Sequence, residues 1–393
     1  MGELMASIVE MVDNYGRYRR DVLNLQASEN FLCSHVKMAL GTDLGGRYSH
    51  VMPDGRNAYG GTEMIENIFN ETERNIKTLY GSKFAEIRPL GGHIAAEISL
   101  LSTIQKNDTI MAISEENGGY TGYMENYLPN MLGFKTEFIP YSEEKQEIDY
   151  DSFEKKATEI KPKAVVLGQS FFVKHYDLGR IREICDKTGS KLLYDGSHVM
   201  GLVAGKKFQP DALKYSDILF GSTHKTFFGP QGGIVLTNNE ELAEKINENV
   251  VWKTMDNYHP NRIAALGIAA QDLITFGESY AGWIVSNTYT LARTLNDSGI
   301  AVKYAPWYSE SHQIILSKDN FQKYGDFKTI SKRLENNRII ADTEGRLGTA
   351  EITRIGLTDM VTLGEVVSDA IKGKDVRSRI TEVLRNSSIK FCR

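Results

Sequence analysis

Cysteine is scarce in this chain: three residues in 393, at positions 33, 185 and 392. So low and odd a count, so widely spaced, excludes a disulfide-rich scaffold and offers no zinc-ligand pattern, so neither a disulfide framework nor a metal is expected. Long apolar runs are also missing. No stretch approaches the ~20 residues that span a bilayer, and the opening MGELMASIVEMVDNYGRYRR lacks the unbroken apolar core of a secretory signal. No membrane association is expected, and a reducing cytoplasm is the expected compartment. Positive charge is in deficit, with 46 Lys+Arg against 51 Asp+Glu and a formal net charge of -5. Without a basic run interleaved with aromatics, nucleic acid is not an expected partner.

What is present is a chain 41% hydrophobic and 25% charged, long enough for two or more domains around a large core. Leu4, Ile8, Met11 and Val12 recur at helical spacing, predicting an amphipathic arm over residues 1–22 that lies on a partner subunit. Apolar runs TIMAIS (109–114), AVVLG (164–168), KLLYD (191–195), DILFG (217–221) and GIVLT (233–237) then alternate with helical stretches at 93–105 and 179–189. That alternation predicts an α/β domain on a mostly parallel sheet over residues 23–281. One or two long helices over 262–295, and strands at 301–305 and 312–317, predict a smaller α/β domain over residues 282–393.

The most informative stretch is DILFGSTHKTFFGPQGG, where an apolar strand runs into a polar turn carrying His224 and Lys225. Thirty residues earlier, KLLYDGSHVMG ends a second strand in Asp195, with His198 shortly after. An imine-forming lysine beside a carboxylate that can face a pyridine nitrogen is what pyridoxal 5'-phosphate needs to act as an electron sink. The pair Gly91 and Gly92 precedes a helix, whose free amides suit a phosphate. Arg346, in EGRLGTAEITRIG, can pair bidentately with a substrate carboxylate.

The stretches LNLQASENF, RYSHVMPDGRNAYGG, LLYDGSHVMGLVAG, STHKTFFGPQGG and GRLGTAEITRIG resemble, in order, those of the serine hydroxymethyltransferases. The resemblance implies a fold type I, aspartate aminotransferase-like enzyme with pyridoxal phosphate covalent on Lys225, acting as a homodimer with shared active sites. It makes Asp195 the partner of the ring nitrogen and His198 a neighbour of the cofactor's phenolic oxygen. Ser170, Ser222 and His224 become cofactor contacts, Ser28 and Arg346 holders of the substrate carboxylate, and Tyr48 and Tyr59 tyrosines lining the site, Tyr48 from the other subunit. The implied activity is one-carbon metabolism: glycine loses a proton, or serine its hydroxymethyl group, through a quinonoid intermediate.

Departures from the family pattern accompany the matches. A catalytic glutamate is replaced by His50, the ring-stacking histidine by Tyr120, and the loop before Arg346 is cut to NRIIADTEG, where the family holds its pterin. Tetrahydrofolate or another pterin therefore remains an open expectation. Three readings follow: a hydroxymethyltransferase, a folate-independent threonine-type aldolase or transaldolase, and a catalytically idle pyridoxal-phosphate-binding regulator.

Overall fold

A computed structural model describes residues 7–52, 55–385 and 387–393; Leu4 of the expected arm lies outside them. The chain divides into two compact units: residues 28–285, 309–312 and 391–393 form the larger, and residues up to 27, 286–308 and 313–390 the smaller. The division falls inside the single helix Pro260–Asp297, which occupies the segment where one or two helices were expected.

The larger unit is built on seven strands, numbered in chain order: β1 Phe84–Glu86, β2 Thr109–Ala112, β3 Lys135–Phe138, β4 Ala164–Leu167, β5 Lys191–Asp195, β6 Ile218–Ser222 and β7 Gly233–Thr237. Their spatial order is β1-β7-β6-β5-β4-β2-β3. Neighbours from β6 to β3 run parallel, and β7 is antiparallel to both β6 and β1. Every residue of β4, β6 and β7 is buried, because helices cover both faces of a crossover sheet. The helices begin and end where the sequence places caps. Asp177 accepts from the Arg180 amide to open Leu178–Thr188, and Gly189, at φ 72°, closes it.

In the smaller unit, Leu23–Asn24 pairs in parallel with Ile339–Ile340, and Gln313–Ile315 runs antiparallel to Arg346–Gly348. Its core gathers Leu291, Ile314, Leu347, Leu363 and Val367. The expected strand at 301–305 is not formed: the chain turns at Tyr304, whose φ of 65° lies in the left-handed region, leaving one isolated bridge from Val302 to Leu316. The arm is helical over Ile8–Arg20, opened by a reciprocal cap between Ser7 and Glu10. None of its residues is buried, and Ile8, Val9 and Val12 are 74%, 72% and 63% exposed.

Cys33 pairs with Cys392, a single bridge that the cysteine count did not predict. Sequence separation, 359 residues in this case, says nothing of proximity once residues 391–393 fold onto the unit that contains Cys33. Cys185 is free and buried, and burial pushes its thiol up to about 12.

Candidate active site

Parallel strands bring their carboxyl ends to one edge of the sheet, where loops are free to build a site. Asp195 is the last residue of β5, opposite Phe220 on β6, and Lys225 follows the end of β6 by three residues. Both line one cavity of about 220 Å³, with Gly92, His93, Tyr120, Gln169, Ser170, Ser197, His198 and His224.

The Lys225 loop is fixed by its own backbone. The Phe228 amide donates to the Lys225 carbonyl at 3.0 Å, the Gly229 amide to Thr223 at 2.7 Å, and the Thr223 amide to Gly232 at 3.0 Å. Phe228 adopts a φ of 53°, uncommon for a bulky residue, and is held there by complete burial and an edge contact with Tyr280. Thr226 joins this loop to the neighbouring one: its hydroxyl donates to the His198 carbonyl at 2.8 Å and accepts from the Gly201 amide at 3.1 Å. Thr226→Val keeps the shape but removes both hydrogen bonds at a buried position. We expect a loss of about 1–3 kcal/mol, read from the thermal midpoint; an unchanged midpoint would show that the loops are not joined this way.

Asp195 is buried and accepts twice, from the Tyr123 hydroxyl at 2.8 Å and from the Ser197 amide at 3.0 Å. Burial foremost, then the Asp195 charge, raises the Tyr123 phenol well above its ordinary value, so it remains a donor. Tyr120 packs edge-on against Tyr123, and its hydroxyl bonds the Nδ1 side of His93 at 2.9 Å. His198 stacks on His312 with ring centroids 5.7 Å apart. His224 is lowered to about 4, by burial first and the adjacent Lys225 charge second, so it is neutral at pH 7.

One end of the cavity suits a phosphate. The helix Gly92–Leu101 follows Gly91 without a side-chain cap, and a Cβ at Gly92 would come within 2.9 Å of the Ser222 Cβ and 3.1 Å of the Ser197 hydroxyl. Only glycine allows so close an approach, and the first-turn amides are left for an anion. Ser222 donates to the Ser197 carbonyl, and its amide donates to the Ser197 hydroxyl. Ser197 was overlooked in the sequence although it stands between Asp195 and His198; Gln169 and Tyr123 carry no motif signal at all.

The remaining expected substrate-binding and catalytic residues are not among those lining this cavity. His50 lines a second, larger cavity of about 800 Å³ with Arg88, Trp252 and Tyr258, its ring 5.2 Å from that of Trp252. Burial, then the Arg88 charge, lowers its pKa. Tyr48 and Tyr59 are exposed beside one another, 5.3 Å between centroids. Ser28 opens the larger unit, partly buried and outside the lining of the Lys225 cavity. Arg346 belongs to the smaller unit, where Asp342 accepts from both its amide and its Nε, at 3.0 and 2.8 Å.

Residues 3–356 match the family model described as serine hydroxymethyltransferase. The chain belongs to the serine hydroxymethyltransferase family. A serine hydroxymethyltransferase of Methanothermobacter thermautotrophicus is 34% identical over 96% of this chain and 92% of its own length; one of Archaeoglobus fulgidus is 31% identical over 96% and 90%. The crystal structure of L-threonine transaldolase from Pseudomonas fluorescens, in its internal aldimine state, superposes with a TM-score of 0.88 at 25% identity, covering 98% of this chain and 92% of that one. As a serine hydroxymethyltransferase family member, the protein is a pyridoxal-phosphate-dependent enzyme of fold type I. The cavity fits that cofactor: an amine at Lys225, a buried carboxylate at Asp195 and a glycine-lined helix start.

Proposed function

We propose that this enzyme makes or breaks the Cα–Cβ bond of a β-hydroxy amino acid, in the manner of a serine or glycine hydroxymethyltransferase. The observation that carries the reading is Lys225 and Asp195 on adjacent strand ends, facing one cavity that a glycine-opened helix borders. Bound pyridoxal phosphate supplies an electron sink that stabilises negative charge at the substrate Cα. Lys225 would provide the amine that anchors it and a base for the Cα proton; Asp195 would serve the ring nitrogen and keep it protonated. The helix start, with Ser222 and Ser197, would take the phosphate. Ser170, His198 and His224 would contact the cofactor, and neutral His224 adds no charge beside the amine. Tyr120 provides an aromatic face for the ring.

Arg346 and Ser28 hold the substrate carboxylate in this reading, with Asp342 setting the orientation of the guanidinium. Arg346→Ala is expected to raise the amino-acid KM about 10- to 100-fold while the cofactor stays bound. Unchanged glycine affinity would remove Arg346 from the site. Tyr48, Tyr59 and His50, with the unburied apolar face of the arm, are the parts a second copy of the chain would cover, giving a homodimer with shared sites.

A second reading, aldolase or transaldolase chemistry without a pterin, is supported by His50 where a carboxylate is expected and by only five residues between the strands Ile339–Ile340 and Arg346–Gly348. An absorbance spectrum of the protein with glycine, taken before and after adding tetrahydrofolate, separates the two. Long-wavelength absorbance that grows only with the pterin supports the hydroxymethyltransferase; no response to pterin, with threonine cleaved to glycine, supports the aldolase. A spectrum inert to every amino acid would overturn both in favour of an idle cofactor-binding protein.

A further inference from the structure

We propose that Cys33 and Cys392 form a reversible disulfide that staples segment Phe391–Arg393 onto the larger unit and stiffens the support beneath Lys225. The cysteine Cα atoms stand 6.3 Å apart, within bridging range, and Cys33 is 2% exposed. The segment is seated on the face of one helix. Phe391 packs among Phe276, Tyr280 and Trp283, at centroid distances of 6.4, 5.4 and 5.4 Å. The Arg393 amide donates to Asp272 at 3.1 Å and its guanidinium to the Gln271 carbonyl at 3.2 Å.

Tyr280 carries the effect inward. Its hydroxyl accepts one hydrogen of the Asn30 amide at 2.8 Å, and the other hydrogen of that amide goes to the Lys225 carbonyl at 2.7 Å. The Tyr280 ring also meets the edge of Phe228, 5.0 Å away in the Lys225 loop. With the staple closed, Phe391 is held against the Tyr280 ring. With it open, the segment is held without its covalent tie, by contacts such as the Phe391 ring cluster and the Arg393 hydrogen bonds.

The chemistry is thiol–disulfide exchange with a low-molecular-weight disulfide as oxidant. Cys392, the less buried of the two, attacks as thiolate, forming a mixed disulfide and expelling one small thiol. The Cys33 thiolate then attacks the Cys392 sulfur and expels the second. Two protein thiols become one disulfide while one small disulfide becomes two thiols, and a dithiol reverses both steps. Buried Cys185 takes no part. The sulfurs and an Asp272 carboxylate oxygen lie within 4.8 Å of one another, so a thiophilic metal is the competing occupant.

The coupling to Lys225 rests on the cofactor reading above; the staple does not. The test uses the whole protein with its cofactor, after oxidised glutathione or dithiothreitol, with Cys392→Ser alongside. We expect the oxidised protein to alkylate only at Cys185 after denaturation, the amides of 391–393 to exchange hydrogen at least about tenfold more slowly than after reduction, and cofactor release to slow severalfold. Cys392→Ser should behave as reduced under both treatments. Equal alkylation of Cys33 and Cys392 under both treatments overturns the proposal, as does their exposure by a chelator instead of dithiothreitol. A staple that forms without changing cofactor release removes the link to Lys225. Absence of any lysine-bound cofactor counts against the functional reading, while alkylation and exchange still decide the staple.

Discussion

Lys225→Ala should yield a protein without the colour of lysine-bound cofactor and with turnover reduced at least about a thousandfold, because no other group can form the covalent anchor. Among the residues lining the cavity, Lys225 alone carries a primary amine. A second consequence needs no cofactor. His224 is held at about 4 by burial and, secondarily, by the Lys225 charge, so removing that charge should raise it part of the way toward 6.5, with burial keeping it depressed. An NMR titration of the cofactor-free proteins reads this directly. The stability effect has a definite sign. Between pH 6.5 and 4 the unfolded chain binds the His224 proton and the folded chain does not, so stability falls as pH falls through that window, by at most about 3 kcal/mol. The cofactor-free mutant should lose less of it than the wild type. A mutant that kept a lysine-bound spectrum would sink the assignment of Lys225, and identical His224 titrations would sink the electrostatic argument.

Asp195→Asn should leave the protein folded and able to take up cofactor but slow it on the order of a hundredfold or more, the scale on which one preorganised electrostatic group is felt. The carboxylate receives two donors, the Tyr123 hydroxyl and the Ser197 amide. An amide has one accepting oxygen, and its NH2 would face one of those donors. The backbone donor at Ser197 cannot reverse, whereas the Tyr123 hydroxyl can rotate and accept, so the oxygen should settle toward Ser197. If Asp195 serves the ring nitrogen as proposed, the lost negative charge would also leave that nitrogen without the partner that keeps it protonated. Fluorescence and absorbance of the bound cofactor should shift together with the loss of kcat. Wild-type kcat would mean that Asp195 does not serve the ring nitrogen.

Strands β4 to β7 were readable in the sequence because burial on both faces produces unbroken apolar runs such as AVVL and GIVLT. The edge strand β3, KTEF, went unseen: it is mostly exposed and carries polar side chains, so neither an apolar run nor a clean alternation marks it. AVKYA misled for the opposite reason, being apolar at two of its ends yet bent at Tyr304. That Asp195, His198, His224 and Lys225 share one cavity was legible because Asp195 ends a strand and the others follow one within three residues, and strand ends converge. Their supports were not. Tyr123 meets Asp195 across 72 positions and Asn30 meets Lys225 across 195, distances at which spacing carries no information. The placement of His50 in a cavity apart from Lys225 was equally hidden, since position in a motif does not say which cavity a loop enters.

At Gly201 the backbone lies so near the Lys225 loop that an added Cβ would stand 2.1 Å from the Thr226 carbonyl oxygen. The segments bearing Asp195 and Lys225 are therefore not independent modules. An effort to alter substrate range by exchanging one of them between relatives would carry over a mismatched surface at this point. The two should be transplanted as a single cassette, and libraries meant to vary the site would retain more folded members if diversity were confined to side chains that face the cavity.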